Sequence, residues 1–478
     1  MPELMIWCDG NSRKVTFEGT PRLSDVLEAN GFGIQHPCGG CGLCGKCTVD
    51  VTGAVSGPDA SDHTGIRLAC QTILLGDAAV VLSNSYSMEQ IELSGIENIH
   101  PIAPMPGEFG VAVDIGTTTL ALRLFNLKTG ECVHEAAMLN PQTSVAADIM
   151  GRIQAAMDGK LGLLQTQIQS ALHQMLNGYR IDAAVVTGNT TMLYLLTGRN
   201  PESLSHAPFD ADYLFGTVEQ SCYLPPCMNA FVGADITCAL LASGVWNTKK
   251  TALLCDIGTN GEIALWRNGE LFVTSTAAGP AFEGAGISCG CSSIRGAIDR
   301  VWIGDGQLCI HTIGEEAPVG ICGSGLIDAV AASLKLGLID ETGAMEDDEI
   351  ILSKGVALLP KDIRAVQLAK AAIAAGIETL LETAGLSAAD VDELFIAGGF
   401  GRHLRAESAA AIGLIPPQLI QRMHSIGNAS LSGATQLLME QSCWAIAENL
   451  AHRAQHLNLG GNPRFNEHYI NQMMLPEE

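Results

Sequence analysis

Two stretches of this chain begin in nearly the same way. VAVDIGTTTLAL at 111–122 and ALLCDIGTNGEIAL at 252–265 each run an apolar strand into Asp-Ile-Gly-Thr and on into a second apolar strand. One Asp-Gly turn between strands is usually just a hairpin. The same turn twice, about 140 residues apart, calls for a duplicated α/β fold with related halves. From Gly110 onward strands alternate with Ala/Leu-rich helical stretches, which is the pattern of α/β layering. We place the first half at 110–242 and the second at 243–455, with the last helices free to pack back onto the first half. The tail, 456–478, contains GGNPRFNEHYINQMM and has no assignment from pattern alone.

The first 88 residues have a different texture. Short apolar runs (LMIW, VTF, CTVDV, AVVL) alternate with Gly and Pro, as in a small sheet-rich module, with a helix expected at Leu23–Ala29 and Ser24 near its cap. Residues 89–109, with Pro101, Pro104, Pro106 and Gly107, read as a linker. Within the module Cys38, Cys44 and Cys47 have C-x5-C-x2-C spacing, and Cys70 lies 23 positions after Cys47. Four thiolates can hold a [2Fe–2S] cluster if the chain wraps tightly around it. Gly39, Gly40, Gly42 and Gly45 permit that wrapping and leave amide N–H groups to face the sulfurs. The spacing resembles that of [2Fe–2S] ferredoxins, nearer the adrenodoxin type than the plant type. Cys41 also makes C-x2-C-x2-C with Cys44 and Cys47, a partial four-iron pattern without the C-x3-C-P that should follow it, and we read it as a spare thiol. Zinc is the rival occupant.

Composition bounds the surroundings of such a site. Of 478 residues, 26 are Lys or Arg and 51 are Asp or Glu, a formal charge of −25 that opposes nucleic acid and anionic membranes. No run approaches the roughly 18 apolar residues of a membrane span, and the N-terminus lacks a secretory pattern. Sixteen cysteines in that context point to a reducing cytoplasm and metal chemistry rather than disulfides. The other cysteines, including Cys222, Cys227, Cys289 and Cys291, read as small buried apolar residues.

Both repeated turns can hold a polyphosphate. Backbone N–H groups and the hydroxyls of Thr117, Thr118, Thr119 and Thr259 can face phosphate oxygens around Gly116, Gly258, Asn260 and Gly261. Asp114 and Asp256 can hold Mg²⁺ or its waters, with Glu262 alongside. FIAGGFGRH at 395–403 gives Gly398, Gly399 and Gly401 at a turn where a flat adenine or its ribose can approach the backbone. CGSGLID at 322–328 supplies Gly323, Ser324 and Gly325 at a helix start that can face an anion. With Thr187-Gly-Asn189-Thr190 and Gly427-Asn-Ala-Ser430 as hinge connectors, the set resembles the actin/sugar-kinase/Hsp70 (ASKHA) ATPase superfamily. That resemblance implies a two-lobed, duplicated ribonuclease-H-like ATPase domain behind a β-grasp-like ferredoxin domain.

The fusion of the two, with TSTAAGPAFEGAGI at 274–287, resembles the reductive activators of corrinoid proteins over nearly the whole chain. Longer members carry an extra domain between ferredoxin and ATPase parts, where this chain has only the linker. The resemblance implies that an electron from a low-potential donor passes through the cluster to the Co(II) corrinoid of a partner. ATP then drives formation of Co(I) for methyl transfer in a cytoplasmic enzyme, and the resemblance also implies a homodimer. Ser275 is the residue expected to contact cobalt, and Glu283 the one to position water or Mg²⁺. The alternatives are a redox-regulated ATPase or kinase and an activator of a radical dehydratase.

Overall fold

The first strand, β1 (Glu3–Cys8), buries Leu4 and Ile6 and leaves the residues between them part-exposed, the period-2 pattern of a sheet with one covered face. The computed structural model describes residues 1–8, 11–30, 32, 47–57, 65–82, 101–399 and 403–477. Cys38, Cys41, Cys44, the glycines among them, and Gly401 lie outside the described residues. Two compact units are present, Met1–Glu89 with Leu139–Ala171, and Gln90–Met138 with Leu172–Glu478.

In the first unit β1 pairs with β2 (Asn11–Thr16), and α1 (Leu23–Ala29) follows at the residues expected for it. Then come β3 (Thr48–Ser56), β4 (Ile66–Leu68) and β5 (Ile73–Leu82), giving the mixed order β2-β1-β5-β3-β4 with β1 and β5 parallel. Leu23, Val26 and Leu27 recur at helical spacing and bury against Leu4, Ile6, Val49, Val51 and Val80. Among the described residues, a five-stranded mixed sheet packed against α1 is the β-grasp-like arrangement expected.

The second unit is built from the repeat. Strands β6 (Phe109–Ile115), β7 (Thr119–Asn126) and β8 (Cys132–Leu139) are followed in sequence by α2 (Ile149–Ala155) and α3 (Leu161–Leu176), which up to Ala171 belong to the first unit, then in the second by β9 (Ala183–Gly188) and α4 (Thr190–Thr197). β10 (Thr217–Glu219), β11 (Cys222–Leu224) and α5 (Ala234–Ser243) close the first half. The sheet runs β10-β11-β9-β6-β7-β8. The second half starts β12 (Ala252–Ile257), β13 (Gly261–Arg267) and β14 (Glu270–Thr276). A small sheet of β15 (Ala297–Gly304), β16 (Gln307–Thr312) and β17 (Gly320–Ile321) leads to α6 (Gly323–Lys335). The hairpin of β18 (Ile350–Ser353) and β19 (Val356–Leu358) precedes the long α7 (Pro360–Thr383). β20 (Glu393–Ala397), α8 (Ala406–Ala411), β21 (Met423–Gly427), α9 (Ala429–Met439), α10 (Cys443–Arg453), β22 (Ala454–His456) and α11 (Pro463–Asn471) complete the chain. Its sheet runs β21-β20-β12-β13-β14-β22. In each half the opening strand pairs antiparallel with the second and parallel with the strand after the helices, β6 with β9 and β12 with β20. The duplication is therefore topological as well as sequential.

The halves exchange helices. Leu431, Ala434, Leu437 and Leu438 of α9 pack with Ala112, Ala121 and Val185 of the first sheet. Ile236, Ala239 and Leu240 of α5 pack with Leu254, Ala264 and Val273 of the second. The two helices cross so closely that a Cβ on Gly433 would lie 2.0 Å from the Cys238 carbonyl oxygen. Residues Ile102, Ala103 and Met105 hydrogen-bond to the carbonyls of Leu438 and Met439, so the chain entering β6 is pinned to the end of α9. At the C-terminus α11 packs on α7, and the buried Lys370 and Gln367 donate to the carbonyls of Met474 and Met473.

Candidate functional site

Both Asp-Ile-Gly-Thr turns close on themselves before they do anything else. Gly116 N–H donates to the Thr119 carbonyl at 2.8 Å, and Gly258 N–H to the Asn260 carbonyl at 3.1 Å. The hydroxyls of Thr117, Thr118 and Thr259 each bond to a residue outside their own turn. Thr117 Oγ1 accepts from Asn189 Nδ2 at 3.1 Å, while the Asn189 Oδ1 caps α4 by accepting from Met192 N–H. Asp114 accepts from Asn428 Nδ2 and Ser430 Oγ, both at 3.0 Å, while Asn428 Oδ1 caps α9 through Leu431 N–H. The two connectors thus act alike: each asparagine caps a helix and steadies the first hairpin.

Glu283 joins the hairpins. Its carboxylate accepts from Thr118 Oγ1 at 2.6 Å and from Thr259 Oγ1 at 3.0 Å, and the two hydroxyl oxygens are 3.4 Å apart. Asp256, Glu262 and Ser275 stand directly opposite one another on β12, β13 and β14 and so share one sheet face. Gly398 follows in β20's turn at φ +91°, where a Cβ would sit 2.8 Å from Asp256 Oδ1, so a side chain is excluded there. Gly399 beside it is exposed. At the start of α6, Ser324 Oγ donates to the Asp299 carbonyl and Gly325 packs on Ile298, so that turn is tied to the small sheet rather than to the hairpins' threonines.

The electrostatics follow from burial. Burial raises the Asp114 carboxyl above its ordinary value, against the pull of Asn428 and Ser430. Asp256 is pushed up to about 7, first by burial and then by the charges of Asp114 and Glu283. Burial also raises Glu262, with Asp235 and Asp256 adding to it, and raises Asp235, with Asp256 and Asp114 adding to it. Asp235, in the first turn of α5, was not among the sequence-derived site residues; its only signal is the FVGAD run leading into a helix. Gathered carboxylates of this kind, Glu262 buried and Asp114, Asp235 and Asp256 part-buried, favour a cation, and the hydroxyls beside them favour phosphate oxygens. Among the described residues no three His, Cys, Asp or Glu side chains form a direct metal cage. Mg²⁺ commonly keeps several of its waters and needs only one or two carboxylates.

In the other unit Cys47 stands just before β3 and Cys70 in the turn Ala69–Gln71 between β4 and β5. The Ala69 N–H bond to the Cys47 carbonyl brings the two segments together, and the sulfurs lie 3.2 Å apart, both buried. A buried, converging thiol pair fits half of the four-thiolate donor set of an iron–sulfur cluster. The distant cysteines behave otherwise. Burial pushes the Cys222 and Cys227 thiols up to about 12 and raises Cys238 and Cys255 as well.

A corrinoid activation enzyme of Eubacterium limosum, RamQ, is 32% identical over 476 aligned positions, covering 86% of this chain and 79% of the relative. The chain belongs to the family of reductive activators of corrinoid proteins. Other members agree with that placement. A [Co(II) methylated amine-specific corrinoid protein] reductase of Methanosarcina barkeri is 27% identical, covering 76% of each chain. The solved structure of a reductive activator for corrinoid, iron-sulfur protein superposes with a TM-score of 0.72 at 26% identity, covering 100% of this chain and 98% of that one. Family signatures match in series: a 2Fe-2S iron-sulfur cluster binding domain over 8–75, the RACo middle region over 109–248, and the C-terminal domain of RACo, the ASKHA domain, over 250–478. Family membership thus carries an iron–sulfur domain and an ASKHA nucleotide domain in one chain. Among the described residues no helix is long and apolar enough to cross a membrane.

Proposed function

We propose that this chain uses ATP to reduce the Co(II) corrinoid of a partner protein to Co(I), with Cys38, Cys44, Cys47 and Cys70 holding a [2Fe–2S] cluster. The observation that carries the reading is the bridge by which Glu283 joins two phosphate-type hairpins, in a chain whose relatives are named for corrinoid activation. A bound cluster supplies a one-electron carrier, and plant-type clusters sit near about −400 mV. The ATPase side is read through its own residues. Thr117, Thr118, Thr259 and the turn amides bind phosphate, Asp114 and Asp256 hold hydrated Mg²⁺ with Asp235 and Glu262 behind them, and the turn at Gly398 lies beside the adenosine. Ser275, in the same row as Asp256 and Glu262, is read as the hydroxyl that contacts the partner's cobalt.

Magnitudes limit how the coupling works. An uphill electron costs about 2.3 kcal/mol per 100 mV, and coupling between two sites is typically about 1–3 kcal/mol. Nucleotide binding alone therefore offsets about 40–130 mV. A larger gap requires that the docked state also change the cobalt ligands of the substrate. The test mixes the purified protein, a low-potential reductant and a Co(II) corrinoid protein with and without ATP. The expected result is Co(I) absorbance that depends on nucleotide; equal Co(I) without nucleotide would refute the coupling.

A further inference from the structure

We propose that Glu283 is an internal stand-in for a phosphoryl group, occupying the hydroxyls of Thr118 and Thr259 until a nucleoside triphosphate displaces it. The inference rests on reading the bridged hairpins as the nucleotide site. Thr118 belongs to the first hairpin and Thr259 to the second, and both donate to the same carboxylate, at 2.6 and 3.0 Å. A hydroxyl has one proton to donate. While it is given to Glu283 it is withheld from a phosphate oxygen, so the two acceptors exchange rather than add. The carboxylate also lies against the second turn, where a Cβ on Gly258 would meet Oε1 at 3.3 Å. Two oxygens carrying negative charge, bridging two hydroxyls 3.4 Å apart, match what two oxygens of a phosphoryl group would present.

Displacement has somewhere to go. Glu283 ends the turn Pro280–Glu283, flanked by Gly279 and Gly284 at φ +77° and Gly286 at φ +78°, positions that can absorb a backbone change. This segment continues directly from β14, whose end carries Ser275. Glu283 is thus a positioning residue: its release converts arrival of the triphosphate into movement of the chain that follows Ser275.

The experiment measures calorimetric binding of ATP, with and without Mg²⁺, to the full-length protein and to its Glu283→Ala, Glu283→Gln and Asp256→Ala variants. Hydrogen exchange of residues 277–286 is followed alongside. Removing the competitor should tighten Mg²⁺-free ATP binding by on the order of tenfold in Glu283→Ala. Glu283→Gln, which keeps the side-chain shape, should move the same way by less. Exchange of 277–286 in nucleotide-free Glu283→Ala should match that of the wild type with nucleotide. A residue that merely held Mg²⁺ would weaken binding on removal only when Mg²⁺ is present, as Asp256→Ala should. Unchanged or weaker binding in both Glu283 variants overturns the exchange while leaving that reading of the hairpins intact. A wild type that binds no nucleotide overturns both.

Discussion

Asp256 and Asp235 occupy a site where burial and mutual repulsion both oppose ionisation, and that sets a pH dependence. The Asp256 carboxyl at about 7, against 3.8 when unfolded, binds more protons in the folded chain than in the unfolded one between those values. Stability therefore falls as pH rises through that window. The nucleotide-free protein should melt at a lower temperature at pH 7.5 than at pH 6, and Mg²⁺ with ATP should recover most of the difference, because a cation favours the ionised carboxylates. Calorimetry in buffers of different ionisation enthalpy should register proton release on binding. Asn428 gives a second test. Asn428→Asp keeps the cap on α9 but exchanges the amide that donates to Asp114 for a like charge, whereas Asn428→Ala removes both. The alanine variant should lose about 1 kcal/mol of stability with its cap. The aspartate variant should keep more of that stability yet bind Mg²⁺ and ATP with altered affinity and a stronger pH dependence.

The crossing of α5 and α9 is the element on which both halves depend. Gly433→Ala places a methyl against the Cys238 backbone, which has no rotamer to yield, and should cost about 1–3 kcal/mol in a denaturant titration. Nucleotide affinity should fall with it, since α9 carries Asn428 and Ser430 to Asp114. What could be read from sequence here follows from range. The hairpins were legible because strand, turn and strand are contiguous, and the repeat announced itself twice. The asparagine connectors were visible as motifs, but that Asn428 reaches back to Asp114 is a contact across 314 positions, which no local pattern encodes. Asp235 was missed because one acidic residue in a helix's first turn reads as an ordinary dipole partner. The tail carries no local signal because α11 depends on docking to α7, and its sequence alone gives no apolar run.

At the scale of the whole molecule, two chemistries sit on two separately built units, and they should fail separately. Cys70→Ala removes one of two converging thiols. It should abolish the visible absorbance of the cluster and the formation of Co(I), while calorimetric ATP binding stays within about twofold of the wild type. A parallel loss of nucleotide binding would contradict that independence. The exchanged helices bear on something else, the order in which the molecule can be made. The first sheet is complete in strands by residue 224, yet the helix that covers it lies at Ala429–Met439. During synthesis that sheet must wait, bare on one face, for some 200 further residues, which at about 5–20 residues per second is on the order of 10–40 s. The duplicated halves are thus not two modules finished in turn: the half that is translated first cannot close its core until the chain is nearly complete.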